Sequence, residues 1–308
     1  MFNVHCKLVL MGLMWATSYP LGRWLASYEA PQAIVALRAL VAFAFLGAIA
    51  WRRGEFAVPV SARLVGHFVV LGFCGFCLHN FLLFEALEHT RANTGAVING
   101  AIPVVVMVLD YLVFRRTIAR AAVAGVAVSF VGAVVVVTHG RFISLVDGSL
   151  GYGELLFLVA ITGWACYSII ARPLLERLPA LAVTTWACLA GALLMLPWMF
   201  VYLEQTRALL ADPLIVGVLL VQGVMTMGLG FLWYYEGIRE LGPMNASVYI
   251  NLVPLFGVAL AALTIGEVPD LPLLIGGAGV VGGLLVVNRA EAKRLARLRA
   301  AAARAASA

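Results

Sequence analysis

Residues 94–103, Thr-Gly-Ala-Val-Ile-Asn-Gly-Ala-Ile-Pro, and residues 245–254, Asn-Ala-Ser-Val-Tyr-Ile-Asn-Leu-Val-Pro, decide how this chain folds. Each opens on small residues, carries an amide within an apolar run and closes on a proline, and the two lie 151 positions apart. Working outward, Glu85 recurs as Glu236, and Gly125 and Gly132 recur as Gly276 and Gly283, at the same spacing. Nearer the N-terminus Trp15-Ala16 recurs as Trp164-Ala165, and Arg23 as Arg172, at a spacing of 149. One match is weak; a nearly constant offset across several segments is the signature of a unit used twice.

Composition names the solvent. Of 308 residues 63% are hydrophobic and 12% are charged, whereas soluble domains carry about 25% charged residues. The apolar residues fall in blocks near the ~20-residue length that crosses a bilayer. The sequence predicts ten helices, over residues 4–26, 31–51, 64–86, 93–113, 119–138, 151–171, 180–203, 213–236, 243–264 and 271–288. Lys7 ahead of an apolar run also fits a signal peptide, but the first block has a counterpart around Trp164, so it is expected to be retained.

The repeat and the block count together give an all-α membrane protein. The first five-helix repeat covers residues 1–139, the second 140–288, and a basic cytoplasmic tail 289–308. Five is odd, so the second copy enters the membrane inverted, a plan that recurs in secondary transporters with the substrate near the midplane. With the N-terminus inside, the cytoplasmic segments hold Lys7, Arg52, Arg53, Arg63, Arg115, Arg116, Arg120, Arg172, Arg177, Arg239 and the tail's Arg289, Lys293, Arg294, Arg297, Arg299 and Arg304. The opposite side has Arg23, Arg91, Arg141 and Arg207. That bias places both termini in the cytoplasm. The net charge of +6 is spread over loops and tail and points to no nucleic acid. The tail reads as a surface helix or a disordered basic segment near anionic lipid.

The 5+5 plan, Leu37-Arg38-Ala39 early in the second helix, the small-residue runs ending in Pro103 and Pro254, Gly266-Glu267 after the ninth helix and the Gly-rich tenth resemble the drug/metabolite transporter superfamily, in its EamA-type ten-helix branch. The aromatic-rich helices are most similar to the YddG-type aromatic amino acid exporters. One departure is Arg116, which occupies the position matching Glu267. The resemblance implies export of a small metabolite across a bacterial inner membrane by a multi-pass protein.

Polar groups at bilayer depth need a partner or a function. His79 and Asn80 in the third helix, Asn99 in the fourth, and the deep aromatics Trp15, Tyr19, Trp164 and Tyr249 are therefore expected to line a substrate cavity. Trp233 and Tyr234 are further candidates for its lining. Pro103 and Pro254 remove a backbone hydrogen bond mid-helix and are expected hinges or gates, as are Glu85 and Glu236 near helix ends. Arg38 is read as a structural charge, in an ion pair or snorkelling, with substrate-carboxylate binding as the functional alternative. Asp110 is expected to pair with Arg115 and Arg116.

Cys74 and Cys77 match a C-x-x-C spacing but lie inside an apolar helix and read as packing residues, as do Cys6, Cys166 and Cys188. The chain has no H-E-x-x-H and no paired aspartates at ligand spacing, so neither an enzyme nor a metal or cofactor is expected. The expected partners are a small-molecule substrate and the lipid bilayer, and the chain is expected to act as a monomer. An aromatic or large neutral amino acid is the expected substrate. The alternative is a multidrug or nucleoside-like metabolite exporter driven by proton antiport.

Overall fold

The computed structural model describes residues 2–58, 61–114, 120–141 and 151–307, and among these the regular structure is entirely helical. Among the described residues six helices are long and apolar enough to cross a membrane: Pro31–Arg52, Ala62–His89, Ala92–Val113, Tyr152–Leu175, Ala180–Val201 and Pro213–Leu241. Ala121–Val136, Tyr249–Ile265 and Leu271–Val287 are shorter apolar helices. Large apolar side chains such as Phe200 (70% exposed) and Leu263 (84% exposed) face outward, as suits a hydrocarbon surround and not water.

The first span is broken. Phe2–Ala16 and Ser18–Leu25 are separate helices joined at Thr17. Pro20 has no N–H for the Ala16 carbonyl, and the Thr17 amide and hydroxyl turn back to the Met14 carbonyl, at 3.2 and 2.6 Å. The fourth predicted helix is broken in the same way. Ala92–Asn99 ends before Gly100 and Ala101, and Ile102–Phe114 resumes with Pro103 in its first turn. The ninth divides into Pro243–Ser247, a 3₁₀ turn at Val248–Asn251 and Leu252–Ile265, with Pro254 again just past the break. The tenth runs unbroken through the expected tail, Leu271–Ser307, because its Ala, Leu and Arg are strong helix formers.

Spacings seen in sequence return in the backbone. Ala62–Leu71 passes into a π-helical segment Gly72–His79 and then Asn80–His89. At an offset of 151, Pro213–Gln222 passes into the π-helical Gly223–Gly230 and then Phe231–Leu241. Such wide turns are rare in α-helices. Each opens on a glycine pressed against another helix: a Cβ on Gly72 would lie 2.6 Å from the Gly191 nitrogen, and one on Gly223 would lie 2.7 Å from Val41. Those partner helices, Ala180–Val201 and Pro31–Arg52, are themselves 149 positions apart at both ends.

The last helices of the two predicted halves pack backbone to backbone. A Cβ on Gly125 would meet the Gly283 oxygen at 2.5 Å, and one on Gly132 the Gly276 oxygen at 2.5 Å. The contact is reciprocal and isologous in form, the small-residue packing that lets membrane helices approach closely. The loop from Arg141 to Gly151, where the two predicted halves join, lies outside the described residues for its positions 142–150.

Candidate functional site

The breaks and wide turns converge on one interior cavity. The broken first helix supplies Trp15, Ser18 and Tyr19, and the Pro31–Arg52 helix supplies Arg38. The end of the first π segment supplies His79, with Asn80 and Leu83 beyond it. Asn99 and Ile102 flank the break before Pro103; Trp164, Thr226 and Phe231 close the far side. Only about 30 Å³ is open to water inside, room for one or two water molecules. The two proline breaks also meet: a Cβ on Gly100 would sit 2.7 Å from the Pro254 ring.

Aromatic rings make one wall. The Trp15 and Trp164 indoles, from positions 149 apart, cross edge to face with centroids 5.0 Å apart. Phe231 lies 5.9 and 4.9 Å from them, and Tyr234 5.6 and 5.3 Å. His79 is 4.8 Å from Trp164. These are the separations at which offset and edge-on aromatic pairs are attractive. The Trp15 indole N–H donates to the Thr226 carbonyl at 2.9 Å. The buried Trp164 N–H forms no hydrogen bond of good geometry.

Polar groups make the other wall. Arg38 is 1% exposed. Its Nη2 donates to Gln222 Oε1 at 3.1 Å and Thr226 Oγ1 at 2.6 Å, and its guanidinium carbon lies 4.7 Å from the Phe84 ring centre. Gln222 is held in turn: it accepts from the Ser18 hydroxyl at 3.1 Å and donates to Thr17 Oγ1 at 3.0 Å, tying the first helix at its break. Arg38 Nε and Nη1, the Tyr19 hydroxyl and Asn99 Oδ1 are buried without hydrogen-bond partners. His79 Nδ1 donates to the Ala160 carbonyl at 2.9 Å. A carbonyl only accepts, so in the neutral ring Nε2 is left as an acceptor.

Of the seven expected cavity residues, Trp15, Tyr19, His79, Asn80, Asn99 and Trp164 lie around this space. Asn80 is turned partly into its own helix, donating to the Gly75 carbonyl at 2.7 Å across the π segment. Tyr249 lies elsewhere, with its hydroxyl hydrogen-bonded to His5 Nδ1. Arg38, expected as a structural charge, neither snorkels nor ion-pairs: it is buried, and no acidic side chain among the described residues lies within ion-pair distance, so Gln222, Thr226 and the Phe84 ring hold it instead.

Glu236 is bridged to Lys7 at 2.6 Å, joining the first helix to the Pro213–Leu241 span. Glu85 lies 3.7 Å from His89, one turn along its own helix. Glu85, Glu88 and His89 bring ligand atoms within 4.8 Å of one another, an arrangement that acidic helix ends commonly show without an ion. Asp110 faces Arg172 at 3.8 Å; the Arg115 and Arg116 expected beside it lie outside the described residues. On the far side of Asn99, Glu267 caps the Ala92–Asn99 helix by accepting from the Ala92 and Asn93 amides at 3.1 and 3.0 Å.

Sequence reasoning missed Ser18, Leu83, Ile102, Thr226 and Phe231 in the lining. A signal existed for Phe231, which stands 151 positions after Asn80, and for Thr226, the same distance after Gly75 in the first π segment.

Known proteins resemble this chain along nearly its whole length. The EamA-like transporter family matches residues 4–138 and again residues 151–289. An uncharacterized transporter of Bacillus subtilis, YyaM, is 24% identical over 93% of this chain and 93% of its own length. A probable terminal-alkyne amino-acid exporter of Streptantibioticus cattleyicolor is 26% identical over 92% of each chain. A probable biotin transporter of Pseudomonas aeruginosa is 27% identical over 92% of this chain and 96% of its own. A solved crystal structure superposes with a TM-score of 0.67 at 20% identity, covering 96% of this chain and 99% of that one.

Proposed function

The chain belongs to the EamA-like transporter family and is a multi-pass membrane protein, and from that premise we propose that it exports aromatic or large neutral amino acids by alternating access. The observation that carries the reading is the crossing of Trp15 and Trp164 at 5.0 Å beside a wall of unpartnered buried polar groups. Stacked rings hold an aromatic side chain, and a few placed polar groups orient what it is attached to.

The architecture proposed for this work is the 5+5 inverted repeat with ten spans and both termini cytoplasmic. The twin π segments 151 positions apart, the reciprocal glycine packing and the Lys/Arg bias support it. Two inverted copies give two states of one chain, open to opposite sides. A cavity with about 30 Å³ of free space must widen to take an amino acid, and the helix breaks at Thr17, Gly100–Ala101 and Val248–Asn251 are where the backbone already bends. Pro103 and Pro254 act as hinges there, and Glu85 and Glu236 act at the ends. The family resemblance and the relative named as an amino-acid exporter support the outward direction and a bacterial inner membrane. The two relatives named for a substrate, an amino acid and biotin, share a free carboxylate. The protein works as a monomer in the bilayer, with no cofactor and no nucleic acid.

The test is reconstitution in liposomes with labelled phenylalanine, tryptophan, nucleosides and lipophilic cations, with and without a pH gradient. Movement of phenylalanine or tryptophan, competed by other large neutral amino acids, is expected. Movement of lipophilic cations alone, and only with a proton gradient, would replace this reading with drug–proton antiport.

A further inference from the structure

We infer that Arg38 is the anchor for a substrate carboxylate, and that the cavity selects zwitterions and anions while rejecting cations; this rests on the central cavity being the transport site. A guanidinium taken out of water is costly unless an anion and a full set of hydrogen bonds compensate it. Arg38 is buried, and its bonded partners, Gln222 and Thr226, are both neutral. They occupy Nη2 and hold the side chain in place, leaving Nε and Nη1 with hydrogens to donate. Arginine is the side chain whose planar fork suits a carboxylate, and this one borders the cavity.

Two acceptors border the same space, beside the unpartnered Tyr19 hydroxyl and Trp164 N–H. Asn99 Oδ1 lacks a donor, and His79 Nε2 is an acceptor because Nδ1 is committed to Ala160. An ammonium has hydrogens for both, so the cavity offers each end of an α-amino acid its complement, with the indoles left for the side chain. Among the described residues no acidic side chain lines the cavity, so a lipophilic cation would meet an uncompensated Arg38 and find no counter-charge.

The ligand side of the test needs no variant. Purified wild-type protein in lipid nanodiscs is titrated with phenylalanine, phenylalaninamide, 3-phenylpropionate and phenethylamine, read by thermal shift and by competition with labelled phenylalanine. Phenylalanine is expected to bind best and 3-phenylpropionate more weakly. Phenylalaninamide and phenethylamine, which lack the carboxylate, are expected to lose about 10- to 100-fold, the worth of a hydrogen bond to a charged group. Arg38→Gln should lose the preference for acid over amide, and Arg38→Lys should keep part of it.

Equal binding of phenylalanine and phenethylamine to the wild type, or an acid preference intact in folded Arg38→Gln, would overturn the anchor. The amino-acid reading fails separately: if no amino acid binds, but simple carboxylates stabilise the wild type and not Arg38→Gln, the anchor stands without it. If no carboxylate stabilises the wild type, while chloride and phosphate also do nothing, the anchor falls.

Discussion

The Ala62–His89 and Pro213–Leu241 spans share one backbone and carry different chemistry. Both are helix, π segment and helix, at an offset of 151, and both lean on a neighbour through a glycine at the π entrance. The first puts His79 and Asn80 at the exit of its wide turn; the second puts Gln222 and Thr226 around the entrance, where they hold Arg38. Near their ends, Glu85 lies beside His89 of its own helix while Glu236 bridges to another. The common backbone is what an exchange between two related states requires. The unlike side chains are what the proposed carboxylate and ammonium contacts rest on. Symmetry belongs to the scaffold and asymmetry to recognition, and each can be broken by itself.

The scaffold breaks hardest at the glycine crossing. In Gly132→Leu the new Cβ would lie 2.5 Å from the Gly276 oxygen and 2.6 Å from the Val280 nitrogen, and neither backbone atom can rotate away. Overpacking of this kind costs about 1–3 kcal/mol or more, so the melting temperature in detergent should fall by several degrees or folded protein be lost. Gly283→Leu should do the same, because its contacts with Gly125 are the mirror of these. Gly282→Leu, next in the chain but with nothing within 4 Å, should melt as the wild type does. A tolerant Gly283 beside an intolerant Gly132 would show that the packing is not reciprocal in solution.

A smaller difference separates the paired indoles. Trp15→Phe removes the 2.9 Å bond to the Thr226 carbonyl and should cost about 1 kcal/mol. Trp164→Phe removes a buried N–H that has no well-formed bond, which is neutral or stabilising in itself. Both variants also lose packed indole area, so thermal melts should fall for each and further for Trp15→Phe, which loses the hydrogen bond as well. Equal losses would mean that ring area, and not the hydrogen bond, sets both contributions.

Much of this was legible before any coordinates. Large aromatics and amides inside apolar helices stand out because lipid offers them nothing, and Trp15, Tyr19, His79, Asn80, Asn99 and Trp164 surround one space. Tyr249 misled because it sits in the 3₁₀ turn Val248–Asn251; a tighter turn rotates each residue further than the α-helical period assumes. Phe231 carried no signal of its own, since a phenylalanine in a membrane helix is ordinary, and only its repeat position could have exposed it. That Arg38 is held by neutral partners and not by a counter-charge is a fact of three dimensions that the sequence does not show. Arg172, which comes to Asp110 from another helix, is a partner that spacing along the sequence could not show; Arg115 and Arg116, expected beside it, lie outside the described residues. The break in the first helix was readable from Pro20, which alone leaves the Ala16 carbonyl without a donor.

The smallest effect tests the asymmetry of the two glutamates. The Lys7–Glu236 bridge spans 2.6 Å between the Phe2–Ala16 helix and Phe231–Leu241, and the His5–Tyr249 bond fastens the same end of the first helix to the 3₁₀ turn. Both tie that end of the first helix to its neighbours. The Glu85–His89 pair, at 3.7 Å, lies within a single helix. A bridge of this kind, with both side chains about a quarter exposed, is worth at most about 1 kcal/mol, so Glu236→Gln should raise the population of locally opened first helix by up to about five-fold. Amide hydrogen exchange in residues 3–10, followed by mass spectrometry, reads that opening without reference to any substrate. Lys7→Ala should raise exchange by the same amount, and the double variant by no more than either single one, since the two residues form one contact. Glu85→Gln should leave exchange in residues 3–10 unchanged. If Glu85→Gln and Glu236→Gln open the first helix equally, the two spans are equivalent in action as well as in backbone, and the latch assigned to Glu236 does not exist.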